Sequence, residues 1–487
     1  MTAQRITLLS VLFFLLLACI FFITRDACLT PTKMTGYDAS VFATFGAAWH
    51  DGLLPYRDLF DHKGPVIFFM SLLGYWLAGD FYGIVYVEIF NLFLFAALFL
   101  AVNRNNAIIY FCFFIFIYLI FISKNLEGGN ATEEYALFFN GLAAFAWLKR
   151  ARWRFFLYGF AGALLVFMKM NLAALSLSIF LVDLWYSKNF IKYILQASLG
   201  FLIPAGIMIL YFYGHDALYE FYWSYIVCNM NYIGDKTTSR IYPYIVLLKE
   251  NRLFFLTCVL MLISIFFRKK SSFPAAVIFL VVPYLFSCIS GRPFAHYILA
   301  VTPSAFILFS LIFAEKHSDR QILTFLSKHI GIRGKRLLLV CLILLAILAV
   351  VQTAVFAMQR FDMTQLQALR ASFRAVGLHP GVRMLSLGGT QFSSIYPLSQ
   401  THPPHKEFTP LTHMQFFALG ETVTAPMPQL LKNQKDICPE EKYDFLLLTE
   451  HQRLSPSCPY VPVTTEFKLG KLYKYSPPVS PDGADGR

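Results

Sequence analysis

The sequence predicts an all-α polytopic membrane protein with a small extracytoplasmic α/β domain at its C-terminal end. Three observations lead there. Of 487 residues, 57% are apolar and only 14% charged, with 52 phenylalanines and a mean hydropathy of +0.58; soluble domains run at roughly 45–50% apolar and about 25% charged. The apolar residues come in long blocks, and Lys and Arg gather in alternate connections between those blocks. This pattern excludes an ordinary water-soluble enzyme, a disordered scaffold and a disulfide-stapled secreted module. The formal charge of +13 therefore concerns the sides of a bilayer, and nothing points to nucleic acid.

A span needs about 20 apolar residues, with some tolerance. Blocks at 6–23, 82–102, 107–123, 134–148, 155–169, 172–186, 193–213, 252–267, 273–290, 297–314 and 337–356 qualify. No small-residue cleavage site follows the first, so it reads as an uncleaved helix. Pro65–Gly79 is too short: roughly 21 Å as a helix against a core of about 30 Å. Orientation decides its place. With a cytoplasmic N-terminus and 65–79 not crossing, Arg5, Arg104, the 149–154 cluster, Lys188, Lys192, the 268–270 cluster and the basic loop 315–336 all fall inside. Segment 65–79 then lies in the outer interface. Residues 1–356 form the membrane module, with outer segments at 24–81, 124–133, 214–251 and 291–296. No internal repeat of the kind common in secondary transporters is visible.

Residues 357–475 read as a small extracytoplasmic domain. Arg383–Leu387 and Asp444–Leu448 resemble buried strands, Met427–Lys435 a helix, and Tyr460–Tyr475 a hairpin through Gly470. Phe408–Phe417 suits either a core element or carbohydrate stacking. Ser476–Arg487 reads as a disordered tail. Of nine cysteines most sit in apolar blocks, and none forms a CxxC or a Cys/His cluster. Cys438 and Cys458 could pair if their domain is extracytoplasmic.

Four polar clusters lie at the outer face. In the first, Val41, Phe42, Phe45, Ala48 and Trp49 have helical spacing, so 39–50 reads as an interfacial helix. Tyr37 precedes it, and Asp38 is either its N-cap or a functional acid. The second packs Arg57, Asp58, Asp61, His62 and Lys63 between Pro55 and Pro65. A solvated turn would explain it; the apolar segment abutting Lys63 instead suits a cation meeting a lipid phosphate. The third, Asn130-Ala131-Thr132-Glu133-Glu134, fits a capping box with acids in the first turn, or a pair of carboxylates facing a sugar or basic group. It is also a glycosylation sequon, a weak motif. The fourth, Arg292 with His296 and Tyr297, is a tight outer turn with an interfacial Tyr, or a contact to an anionic headgroup. Lys169, between two short spans, is a third cation or a snorkelling one.

At these residues the sequence resembles the GT-C superfamily of membrane glycosyltransferases, in particular the bacterial branch related to protein mannosyltransferases and lipid A aminoarabinose transferases. The resemblance rests on Tyr37-Asp38, Pro55-Tyr56-Arg57-Asp58, Asp61-His62-Lys63-Gly64-Pro65, Glu133-Glu134 and Arg292 with His296-Tyr297, and covers the membrane part to about residue 314. It implies transfer of a sugar from a polyprenyl-phosphate donor to a glycan, glycolipid or protein acceptor. Transfer would occur with inversion, on the extracytoplasmic face of a bacterial cytoplasmic membrane. By position, Asp38 matches the acid that activates the acceptor hydroxyl, and Glu133 or Glu134 matches the second acidic position. Lys63 matches the lysine that meets the lipid phosphate, with Arg292 and His296 assisting. Tyr37, Arg57, Asp58, Asp61, His62, Lys169 and Tyr297 are candidate substrate contacts. The family often carries an acid directly after the first Asp, where this chain has Ala39, and no Asp-x-Asp follows; no cofactor and no metal are expected. The chemistry suits the residues on its own terms, because a leaving phosphate needs charge stabilisation and an acceptor hydroxyl needs a positioned base. A ligase or polymerase of lipid-linked glycans would use a similar outer cavity. A flippase would want charged or polar residues in mid-span; Glu88, Asp183 and few others qualify, and most lie near span ends.

Overall fold

The computed structural model describes residues 37–103, 107–122, 125–126, 129–233, 241–250, 252–267, 273–291 and 294–313, with short pieces of 371–476. The predicted spans 6–23 and 337–356, the basic loop 315–336, Met427–Lys435, Phe408–Phe417, Cys438, Arg292 and the tail beyond Ser476 lie outside the described residues. What is described is mostly helical.

Helix α1 (Tyr37–His50) packs on α2 (Pro65–Ala78), and α2 on α3 (Tyr82–Val102). Pro65 sits in the first turn of α2, where its missing N–H costs nothing. The helix stops at Gly79, left-handed at φ 65°, whose N–H returns to Tyr75 O at 2.7 Å. Helix α4 (Ala107–Ile117) runs into a π-helical turn (Tyr118–Ile122). Then come α5 (Thr132–Leu148), α6 (Arg154–Val166), a 3₁₀ turn (Met170–Ala173), α7 (Ala174–Trp185) and α8 (Phe190–Gly214). The segment after α8 holds a broken helix: α9 (Leu218–Phe221), a π-helical turn (Tyr222–Val227) and α10 (Cys228–Ile233). Helices α11 (Tyr242–Glu250), α12 (Arg252–Phe267) and α13 (Phe273–Ser287) follow, then a 3₁₀ turn (Ala295–Val301) leading into α14 (Thr302–Phe313).

Two described helices, α3 and α8, are long and apolar enough to cross a membrane, and shorter apolar helices accompany them. The predicted spans 155–169 and 172–186 emerge as α6 and α7, separated by a short irregular stretch at Lys169. The predicted span 297–314 opens as the 3₁₀ turn before becoming α14.

Two expectations about helix starts are corrected. Helix α1, described from Tyr37, already includes Asp38 ahead of the expected start at 39. There its carboxylate faces the positive end of the helix dipole and is not an N-cap. At α5 the N-cap position is Ala131, without a side-chain cap bond, and the capping box is not formed. Asn130 is left-handed at φ 48° and its side chain points elsewhere.

In the C-terminal part, β1 (Met384–Ser386) pairs in parallel with β3 (Phe445–Leu448). Strand β6 (Lys471–Tyr475) runs antiparallel to both β3 and β5 (Tyr460–Pro462), giving the order β1-β3-β6-β5. Strands β5 and β6 pair antiparallel as the two arms of the expected hairpin, its turn residue Gly470 lying outside the described residues, and the strands expected around Met384 and Phe445 are present. A second sheet pairs β2 (Asp436–Ile437) with β4 (Arg453–Leu454). Cys458 is disulfide-bonded, its partner lying outside the described residues.

The crossing of α6 and α8 is built on glycine. A Cβ at Gly159 would stand 1.9 Å from Ala197 O, and one at Gly200 2.1 Å from Phe156 O. Small residues at such a crossing let two backbones meet. Replacing Gly200 with Leu is expected to force the helices apart and destabilise the protein by about 2 kcal/mol or more. Thermal unfolding of the solubilised protein should register this as a lowered midpoint, while Gly206→Leu on the same helix, where a Cβ meets nothing within 4 Å, should leave it in place.

Candidate functional site

The segment from Leu53 to Gly64 turns back on itself between α1 and α2. Tyr56 takes a left-handed φ of 70°, a conformation that costs a non-glycine residue of order 1–3 kcal/mol. It is held there by burial on Phe68, Phe212 and Phe221 and by its hydroxyl, which donates to Lys63 O at 2.7 Å. Burial pushes that phenol far above its ordinary value, so it remains a donor. Arg57 and Asp58 pair with each other at 2.8 Å, and Asp58 Oδ2 accepts the Leu54 N–H at 2.6 Å. These two clasp the turn and do not line the cavity described below.

Asp61 is fully buried. Its Oδ1 accepts the Lys63 backbone N–H at 2.8 Å and stands 3.3 Å from His62 Nδ1. His62 Nε2 lies 3.2 Å from the Lys63 ammonium. Burial and then that ammonium push His62 below its ordinary value; Asp61 and the more distant Asp38 pull upward without winning. The ring is therefore neutral at pH 7. Asn229 Nδ2 donates to His62 O at 2.5 Å and to Tyr225 O at 2.6 Å, tying this segment to α10.

Gly64 and Val66 donate backbone hydrogen bonds to Met168 O and Phe167 O, each at 3.1 Å. This joins the Lys63 segment to the end of α6 and so brings Lys63 beside Lys169. Only glycine fits, because a Cβ on Gly64 would stand 2.0 Å from Phe167 O. Beyond Lys169 the 3₁₀ turn is fixed by Asn140, whose amide donates to Leu172 O at 3.1 Å and accepts from Ser176 Oγ at 2.9 Å.

A cavity with about 150 Å³ of free volume opens at this joint. Its lining includes His62, Lys63, Lys169, Asn171, Tyr225, Asn229, Ser290 and Tyr297. Lys169 Nζ forms an ion pair with buried Glu133 at 2.6 Å and sits 3.9 Å over the Tyr297 ring, so its charge is met from two sides. Thr132 Oγ1 donates to the other Glu133 oxygen at 2.7 Å. His296 stacks on Phe294, meets Tyr297 edge-on at 4.9 Å and lies near enough to Glu133 to act on it electrostatically.

Of the residues singled out from sequence, His62, Lys63, Lys169 and Tyr297 line one cavity; Glu133 and His296 stand behind Lys169, and Asp61 behind His62. Asp38, half-buried, does not line the cavity and reaches it electrostatically through His62. Glu134 is buried with its backbone carbonyl accepting from Asn91, and it too is off the lining. Of Tyr37 only the backbone is described. Among the described residues no cluster of three His, Cys, Asp or Glu side chains is arranged to hold a metal ion.

Sequence reasoning missed the brace under this site. Asn130, 3% exposed, donates through Nδ2 to Ala39 O at 3.1 Å and Ser71 Oγ at 3.2 Å, and its N–H donates to Glu88. One residue thus ties α1, α2, α3 and the start of α5. Glu88, a lone carboxylate in an apolar block, was the sequence signal for this brace. Asn229 had only its setting in an aromatic segment.

Compared with family models and with curated proteins, the chain matches none.

Lys169 supplies a direct test of the electrostatics. Lys169→Met leaves the Glu133 carboxylate buried without its cation, which is expected to cost about 3–5 kcal/mol. Adding Glu133→Gln should restore most of that loss, and a double-mutant cycle on unfolding free energies measures it.

Proposed function

We propose that the chain is an integral membrane glycosyltransferase that moves a sugar from a polyprenyl-phosphate donor to an acceptor hydroxyl on the extracytoplasmic face, with inversion. The observation that carries this reading is the meeting of Lys63 and Lys169, from distant parts of the chain, in one cavity, with Glu133 paired to Lys169 and Asp38 acting on His62 from off the lining. The membrane setting is supported by the outward apolar face of α8, where Leu195, Leu202 and Leu210 are 63%, 63% and 69% exposed. Such a face suits lipid and would be a liability in water.

The donor is a phosphodiester with one negative charge. In the step proposed, the acceptor hydroxyl gives its proton to Asp38 and its oxygen attacks the anomeric carbon from the face opposite the phosphate. The carbon–oxygen bond to the phosphate breaks, and the polyprenyl phosphate leaves with the electron pair and a second negative charge. Lys63 faces that developing charge, a task that preorganised cations perform well in a site that excludes water. Glu133 serves here as the counter-ion that holds Lys169 in place. The acceptor is a glycan, glycolipid or protein of the envelope, and the site needs no metal for this step.

A flippase reading would draw on Glu88 and Asp183. Asp183 pairs with Arg154 and accepts the Tyr158 hydroxyl at 3.0 Å, while Glu88 holds the Asn130 turn. Both carboxylates are committed to structure, which favours transfer over transport.

Asp38→Asn at equal expression is expected to lower transfer by about 10²-fold or more. Mass spectrometry of envelope glycans and glycolipids checks it: the deletion strain and Asp38→Asn should both lack a single-sugar mass increment that wild type restores. Full rescue by Asp38→Asn, or accumulation of a complete lipid-linked glycan, would overturn the proposal.

A further inference from the structure

Resting on the reading of Lys63 as the residue that meets the donor phosphate, we infer that His62 is a positioning residue: its neutral imidazole accepts a hydrogen bond from the Lys63 ammonium through Nε2 and aims that cation into the cavity. A lysine ammonium has three donors and no acceptor. At 3.2 Å from it, His62 Nε2 is the acceptor, which places the single ring proton on Nδ1. There Asp61 Oδ1 waits at 3.3 Å. The same oxygen accepts the Lys63 backbone N–H, so one fully buried carboxylate stands beside that ring nitrogen and sets the course of the chain into Lys63.

The ring cannot swing away. It is 4% exposed, its carbonyl is held by Asn229, and the next carbonyl, that of Lys63, is held by Tyr56. Charged and titratable groups facing His62 and Asp61 from other elements are Asp38 in the first turn of α1, Tyr225 and Cys228 around the broken helix, and Tyr56 in the turn. Lysine carries four rotatable bonds and loses much entropy when it is held. An acceptor that holds it beforehand spares the incoming anion that cost.

Two substitutions separate this role from a merely structural one. Gln carries a carbonyl oxygen near the place of Nε2 and Asn carries one near Nδ1; each can accept a hydrogen bond. The probe is a radiolabelled polyprenyl methyl phosphate, a diester whose single charge stays fixed through neutral pH, bound to the full chain in nanodiscs. His62→Asn is expected to weaken binding by about tenfold or more, the worth of a hydrogen bond to a charged group, while His62→Gln stays within about threefold of wild type. Thermal midpoints of both variants report folding. Equal affinity of wild type and His62→Asn, or equal weakening by Asn and Gln, would overturn the inference. Lys63→Met is the separate arm: unchanged binding there would overturn the phosphate role of Lys63 itself, whereas its loss together with an unaffected His62→Asn would reject only the part played by His62.

Discussion

The site depends on two backbone hydrogen bonds. Gly64 and Val66 reach Met168 and Phe167, and the residues flanking that joint are Lys63 and Lys169. Two ammonium groups brought to one cavity repel each other, by an amount that grows as water is excluded. Backbone bonds do not titrate and are not lost to a rotamer change, so they can hold the arrangement where side-chain contacts alone would let the lysines drift apart. Each lysine then has its own local partner: Glu133 and the Tyr297 face for Lys169, the His62 ring for Lys63. The glycine requirement at position 64 is the steric signature of this joint, because the two chains approach more closely than any side chain permits.

A second constraint sits at Asn130. Its left-handed backbone turns the chain into α5 so that the side chain meets Ala39 and Ser71 while the N–H meets Glu88. The helix that carries Asp38 and the helix that carries Glu133 are therefore referenced to the same amide. Buried polar networks of this kind are costly when one member is missing and rigid when all are present. That rigidity is what a site assembled from separate loops needs.

How much of this was legible in the sequence follows from range. Pro65 behind Gly64 and the apolar run after it announced α2, and Val41, Phe42, Phe45 and Trp49 announced α1, because helix signals are local. The short apolar runs near Met384 and Phe445, and the turn-flanked segment from Tyr460, marked strands for the same reason. For Asp38 and Asn130 a cap is one of the two readings the sequence offers, since a cap is the local explanation for a polar residue beside a helix. Their actual settings, one inside the first turn and one bracing three other helices, are set by partners such as Ala39, Ser71 and Glu88 that lie tens of residues from Asn130. His62 and Lys63 were singled out for their charge; that the ring faces both Asp61 and the lysine is a matter of rotamers, which spacing does not encode. Asn229 escaped notice because a single Asn in an aromatic segment has no periodicity to betray it.

Tyr56 shows how the loop is held. A tyrosine at positive φ would leave that conformation in an isolated peptide, so the native turn is imposed from outside. The imposing groups are rings: Phe68 from α2, Phe212 from α8 and Phe221 from α9, with centroids 5.3–5.9 Å from the Tyr56 ring. Burying so large a side chain offsets the strain of its backbone. Through the bond from its hydroxyl to Lys63 O, the same ring fixes where Lys63 leaves the loop. The direction of that cation is thus inherited from an aromatic core spread over three helices rather than from the charged residues around it. This explains how a segment so rich in charge keeps a single conformation: its polar groups are placed by apolar packing, and their electrostatics act within a frame they did not have to build.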